Sequence, residues 1–211
     1  MKNRVELIER YLEELFPNPV CELNYKADYE LLIATVLSAQ STDKRVNAST
    51  EILFKKYPSL VALKEAPIDD LETIIRPVGS FRRKASYVKE ISRIIDEDYN
   101  GVMPQDRDIL ESFPGVGRKT VNVVLSEYYG VPLIAVDTHV ERVSKRLKLV
   151  YQKDNVEEIE QKLMKRFKKN TWSKRHLQLV LFGRYHCKAM KPECEHCKLT
   201  GICGYYQKKQ K

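Results

Sequence analysis

Apolar residues recur along most of this chain at helical spacing. The first sixteen positions set Val5, Leu7, Ile8, Leu12, Leu15 and Phe16 among charges, the pattern of an amphipathic helix rather than of a targeting signal. Tyr29–Leu37 is mostly apolar and predicts a second helix, and Val46–Lys56 a third. Ile68–Ile75 opens on Asp69 and Asp70, acids that suit a first helical turn. Arg82–Asp96 is amphipathic, and Thr120–Tyr129 is apolar enough for a central, buried helix. Val140–Leu149, Val156–Phe167 and Ser173–Tyr185 complete the helical segments. Pro and Gly punctuate the gaps, at Pro17/Pro19, Pro77–Gly79, Gly101–Pro104, Pro114–Gly117 and Gly130–Pro132. Val131–Val136 could form a short strand, but one isolated run makes no sheet. The expected fold class is therefore all-α, a compact array of short helices rather than a four-helix bundle.

The 211 residues allow one substantial core or two small domains. A content of 43% hydrophobic and 31% charged residues fits a globular chain and argues against disorder. Internal repeats and low-complexity linkers are absent. No stretch approaches the roughly 18 apolar residues of a membrane span, so the expectation is a cytoplasmic protein with no membrane partner.

Charge changes the picture through its distribution. Residues 162–211 hold fourteen Lys/Arg against two acids, whereas residues 1–161 hold 23 against 27. The cationic excess of the +8 chain thus sits in its last quarter. A solvated, Lys-rich surface and a footprint for nucleic-acid phosphates both account for it.

The same quarter holds four of the five cysteines, as Cys187-x6-Cys194-x2-Cys197-x5-Cys203. In a basic chain without a signal peptide, disulfides are the weaker reading and metal ligation the stronger. Thiolates suit both zinc and iron–sulfur clusters, and His186 and His196 could substitute as zinc ligands, so the spacing alone leaves the metal open. Lys188, Lys191 and Lys198 would offset the negative charge of a thiolate-held centre while remaining available to phosphates. The expected role is a staple for a loop too poor in apolar residues to fold alone. Cys21 stands apart and suggests no role.

A glycine-rich turn, Ser112-Phe113-Pro114-Gly115-Val116-Gly117-Arg118-Lys119-Thr120, precedes the apolar helix. A nucleotide-binding phosphate loop needs Gly immediately before its Lys, and Arg118 occupies that place. The two glycines instead allow a tight turn whose backbone N–H groups face outward at a helix N-terminus, an anion site for a DNA phosphate. Lys119 follows at once. A cation there opposes the helix dipole, and Val121, Val123 and Val124 suggest partial desolvation; both effects favour a neutral, nucleophilic amine. A plain phosphate-contacting lysine fits the spacing too.

Downstream, Val136-Asp137-Thr138-His139-Val140-Glu141 carries the Thr-x-x-Glu spacing of a capping box, which predicts a helix start at Thr138 with Asp137 as a second capping acid. A carboxylate ending an apolar run is also placed to stabilise a developing positive sugar or to shuttle protons.

In these segments the chain resembles the endonuclease III family of the helix-hairpin-helix DNA glycosylase superfamily, over essentially its whole length and with the motifs in order. Leu37-Ser38-Ala39-Gln40-Ser41-Thr42-Asp43 resembles the family's LSAQxTD segment, Phe113–Thr120 its hairpin, and Val136–His139 its VDTH segment. The cysteine spacing matches the family's [4Fe–4S] signature.

That resemblance implies two α-helical domains flanking a DNA cleft. Residues 22–132 would form a six-helix barrel, and residues 1–21 would pack with 133–211 as the cluster domain, its loop at 187–203. It implies a bifunctional glycosylase and abasic-site lyase of base excision repair that flips an oxidised pyrimidine out of duplex DNA. Lys119 would attack C1′ and form a Schiff base, Asp137 would assist, and β-elimination would nick the strand. The hairpin residues Gly115, Val116, Gly117 and Arg118 would bind DNA. Gln40 aligns with the residue that fills the gap left by the flipped base, and Glu111 and His139 align with polar pocket residues; Ser38 and Asp43 are further pocket candidates. Where the family often carries an apolar wedge after Gly79, this chain has Ser80 followed by Phe81. Mismatch glycosylases of the superfamily place another residue at 119, and Lys119 speaks against them. A non-catalytic DNA-binding module would keep the basic tail and cysteines but would not need Lys119 and Asp137 together. A monomer acting at the nucleoid is expected.

Overall fold

Every regular element of the computed structural model, which describes residues 2–210, is a helix. In chain order these are α1 (Lys2–Leu15), α2 (Asp28–Leu37), α3 (Asp43–Lys56), α4 (Leu60–Glu65), α5 (Ile68–Ile75), α6 (Phe81–Arg93), α7 (Arg107–Glu111), α8 (Arg118–Glu127), α9 (Thr138–Arg146), α10 (Val156–Arg166), α11 (Trp172–Leu181) and α12 (Gly204–Lys209). The all-α expectation holds, and each helix expected from periodicity is present with ends shifted by a few residues. The short helices α4, α7 and α12 were not legible as periods, because five or six residues span too few turns to show one. Two of them are set by caps instead: the side chain of Ser59 accepts from Ala62 N at 3.1 Å, and that of Asp106 from Ile109 N at 3.1 Å.

Residues 131–137 correct one expectation. They form an irregular segment and not a strand. With no strand among the described residues to pair with, Ile134, Ala135 and Val136 are buried as core side chains instead.

The chain divides into two compact units, one of Cys21–Tyr129 and one of Met1–Val20 with Gly130–Lys211. In the first, α2 is buried from Leu31 to Leu37, as befits a helix apolar all round. It packs against α3, α6 and α8, and α6 in turn against α4 and α5. α8 is buried from Thr120 to Ser126. Its fully buried Asn122 is satisfied by Arg107 of α7, whose Nη2 donates to Oδ1 at 2.7 Å.

In the second unit, Ile8, Tyr11 and Leu12 of α1 join Ile134, Val136, Val140, Leu163, Leu179 and Phe182 in one core. Each fully buried aliphatic side chain contributes roughly 1.5–3 kcal/mol by leaving water. Polar contacts fix the pitch of α1 on α11: Gln178 Nε2 donates to Phe16 O at 2.8 Å, and Arg175 pairs with Glu9 and Glu13. α11 runs on into a π-turn, Phe182–His186, that delivers the chain to the first clustered cysteine.

Candidate active site and cysteine loop

The glycine-rich turn lies between α7 and α8 and makes them a helix–hairpin–helix. Phe113 and Val116 are buried and anchor it, with Val116 N bonded to Phe113 O at 3.1 Å. Gly115 has φ +77°, open to glycine at little cost. A Cβ there would stand 2.5 Å from Cδ2 of Tyr87 on α6, so the ring lies directly over the turn. Gly117 is the N-cap of α8 and supplies no side-chain cap, and the first turn carries no acid. The helix therefore begins with outward N–H groups, Arg118 and Lys119, a cationic end suited to an anion.

Lys119 is exposed on that turn. This corrects the expected partial desolvation: Val121, Val123 and Val124 are buried, but they face the core rather than shield the amine. Glu111, expected in a pocket, is exposed at the end of α7 and pairs with Arg107 at 3.2 Å.

Two more loops of this unit carry expected site residues. Gln40 is exposed with φ 56°, just beyond α2. The hydroxyl of Ser38 donates back to Thr35 O at 2.7 Å, and half-buried Asp43 opens α3. Ser80 is exposed at φ 46°, the N-cap of α6, and follows Gly79 at φ 69°. Phe81 does not project freely: the guanidiniums of Arg76 and Arg82 stand 5.4 and 5.2 Å from its ring centroid.

In the other unit, Asp137 itself is the N-cap of α9. Its Oδ1 accepts from Val140 N at 2.8 Å, and Thr138 is the first helical residue. The expected Thr138–Glu141 capping box is thus replaced by an aspartate cap one residue earlier. Glu141 instead turns forward to Lys145 at 2.6 Å. His139 Nδ1 lies 3.2 Å from Arg142 Nη2. Gly183 lets the π-turn approach this face: a Cβ there would meet His139 Cβ at 2.8 Å.

The four clustered cysteines form no disulfide and line one small cavity with Leu147, Phe182 and Tyr205. Cys203 is buried and the others half-buried. Among the described residues no three His, Cys, Asp or Glu side chains converge closely enough to hold a single metal ion. Four cysteines around one cavity form a donor set suited to a thiolate-held metal centre. Burial pushes the Cys187 thiol up, against the pull of Arg146, and the Cys197 thiol up to about 11. Free-thiolate chemistry needs the opposite shift.

Two arginines of α9, neither singled out from sequence, secure the start of the loop. Arg146 Nη1 donates to Cys187 Sγ at 3.3 Å and to Lys188 O at 2.7 Å, and its guanidinium lies 4.0 Å from the Tyr205 ring centroid. Arg142 donates to Cys187 O at 3.2 Å and Gly183 O at 2.7 Å. Their i, i+4 spacing, without acids to pair them along the helix, was the available signal. The lysines expected to offset a cluster's charge are differently engaged. Lys188 pairs with Glu193 at 2.7 Å and Lys198 with Glu14, while Lys191 is exposed. The cation against sulfur is Arg146.

Comparison with known proteins follows the same geometry. The family model described as HhH-GPD superfamily base excision DNA repair protein matches residues 33–169. The chain is 46% identical to endonuclease III of Bacillus subtilis (strain 168) over 208 residues, 99% of this chain and 95% of that protein. It is 42% identical to endonuclease III of Escherichia coli (strain K12) over 205 residues, 97% of this chain and 96% of that one. The solved structure of a trapped endonuclease III–DNA covalent intermediate superposes with a TM-score of 0.96 at 45% identity, covering 100% of this chain and 99% of that one. A thermostable thymine-DNA glycosylase shares the fold, with a TM-score of 0.84 at 23% identity over 98% of each chain.

Proposed function

Because the chain belongs to the endonuclease III family, within the HhH-GPD superfamily of base excision DNA repair proteins, we propose that it removes oxidised pyrimidines from double-stranded DNA and nicks the resulting abasic site. The protein is a DNA glycosylase and abasic-site lyase. The observation that carries the reading onto its own residues is the exposed Lys119 in the uncapped first turn of α8, directly after the Gly115–Gly117 turn.

A phosphate of the damaged strand is held at the N-terminus of α8, by the N–H groups after Gly117 and by Arg118. The amine of Lys119 attacks C1′ through its nitrogen lone pair. A C–N bond forms to the lysine, the glycosidic bond breaks, and the base departs with that bond's electrons and a proton. Opening of the sugar gives a Schiff base. Removal of a C2′ proton expels the 3′ phosphate, which is β-elimination, and water then releases Lys119. Asp137 is assigned the carboxylate that offsets the positive charge building on the sugar. Its Oδ1 is committed to Val140 N–H, which leaves Oδ2 for that work.

Gln40 takes the gap left by the flipped base, and Ser80 with the arginine-flanked Phe81 meets the opposite strand. His139, Ser38, Asp43 and Glu111 are assigned polar contacts around the extruded nucleotide. Cys187, Cys194, Cys197 and Cys203 hold a [4Fe–4S] cluster whose contribution is structural, fastening the loop to α9. On this reading Cys21–Tyr129 is the barrel-and-hairpin domain and the other unit the cluster domain. The enzyme acts as a monomer on the chromosome, hence in the cytoplasm at the nucleoid of a prokaryotic cell.

Borohydride trapping on a duplex with an abasic site tests the assignment. Wild-type protein should form a covalent adduct, and Lys119→Gln should form none while still binding the duplex. Nicking by Lys119→Gln at the wild-type rate would remove Lys119 from the mechanism.

A further inference from the structure

α6 contains a lysine that behaves unlike the rest. Lys84 is only 5% exposed. It occupies the helix face of Val88, Ile91 and Ile95, four, seven and eleven residues on, which are fully buried. Among the described residues no carboxylate meets it, and the charged neighbour that acts on it is Arg83, which opposes its charge. Its ammonium instead spends its three donors on three backbone carbonyls: Leu37 O at 2.9 Å, Ala39 O at 2.7 Å and Val78 O at 2.9 Å.

The identity of those carbonyls matters. Leu37 ends α2, and Ala39 immediately precedes Gln40. Val78 ends the 3-10 turn Arg76–Val78 and immediately precedes Gly79 and Ser80. Helix C-termini present carbonyls without partners and a negative dipole end. One ammonium therefore satisfies two such ends at once. Both segments then enter left-handed backbone, at Gln40 (φ 56°) and at Gly79 and Ser80 (φ 69° and 46°). Conformations of that kind persist only where the surroundings hold them. A buried ammonium is costly to desolvate, and an apolar side chain would fill this core position without that cost. Only a multiple donor can clamp two loops to one point.

We propose that Lys84 is a positioning residue that holds the Gln40 loop and the Gly79–Ser80 loop in register, so that both strands of a lesion duplex are engaged together. This rests on the reading above that the two loops meet DNA. Lys84 touches neither DNA nor the reacting atoms.

The test compares two reactions of Lys84→Met, which keeps the length of the side chain and removes its donors. Base release from an oxidised-pyrimidine duplex should fall by about tenfold or more, with discrimination among opposite bases flattened. β-Elimination at an abasic site in single-stranded DNA, which needs neither loop in the stack, should stay within about twofold of wild type. Amide hydrogen exchange should quicken together at Ala39–Ser41 and Gly79–Ser80. Equal losses in both reactions, no loss on the duplex, or loosening of one loop alone would overturn the proposal. Lys84→Gln, which retains two donors, takes the place of Lys84→Met if that variant does not fold and should fall between it and wild type. If neither folds, Lys84 supports the whole unit and the proposal fails. Gln40→Ala and Ser80→Gly separate this outcome from failure of the underlying reading: wild-type base release by both would mean that the loops do not engage DNA, whatever Lys84 does.

Discussion

The ring of Tyr87 occupies the space in which a side chain at Gly115 would stand, 2.5 Å from where its Cβ would fall. The hairpin that presents Lys119 is therefore seated on α6, the same helix that Ser80 caps and that contains Lys84. Gly115→Ala would add both a left-handed penalty, about 1–2 kcal/mol, and a clash with the ring. A loss of about 1–3 kcal/mol is expected, a fall in Tm of roughly 2–10 °C by calorimetry. Nicking should fall more than the folded fraction does, because the turn aims the amine. Unchanged Tm and activity would show that the ring moves aside freely.

Asp137 serves as a helix cap, and it is assigned a catalytic charge; one pair of variants separates the two. Asparagine caps as well as aspartate, whereas alanine costs about 1 kcal/mol. Asp137→Asn should keep wild-type stability yet release base slower by about two orders of magnitude or more. Asp137→Ala should lose both. Wild-type rates for Asp137→Asn would reduce the residue to its cap.

The cysteine loop should hold about four irons and colour the protein yellow-brown. Arg146→Met removes the donor to Cys187 Sγ and the tie to Lys188 O, so its visible absorbance should bleach several-fold faster in air than that of wild type. Colourless protein containing zinc would contradict the cluster, and equal bleaching would remove Arg146 as its support.

Glu127, near the end of α8, gives a pH signature. Burial pushes its carboxyl up to about 7, and its Oε1 is buried without a hydrogen-bond partner. The folded value lies above the ordinary 4.5, so the protonated acid favours the fold at low pH. That contribution is full below about 4.5 and is lost as pH rises through about 7. Glu127→Gln should therefore be near neutral at pH ~4 and stabilising by about 1–3 kcal/mol above pH ~7, measured by urea unfolding. A gain independent of pH would refute the assigned cause.

Much of this was legible in the chain. Long helices showed because their apolar periods repeat over several turns, and the cysteine spacing and the Gly115–Lys119 order showed because they are contiguous. Lys84 was readable only in part. It shares the face of Val88 and Ile91, yet beside Arg82 and Arg83 it passes for one more surface cation. Asp137 and Thr138 were both plausible caps, since either fits the local pattern, and backbone geometry chose the aspartate.

The class of fold, the family, and the residue types ready for chemistry are set along the chain itself, because local propensity and motif order act within a few positions of one another. The partners come from long-range packing: Lys84 reaching Leu37 across 47 residues, Arg146 reaching the Cys187 sulfur across 41, Tyr87 covering Gly115. Those contacts join residues that local patterns treat as independent, and they form only when packing brings distant helices to within a hydrogen bond or a van der Waals radius.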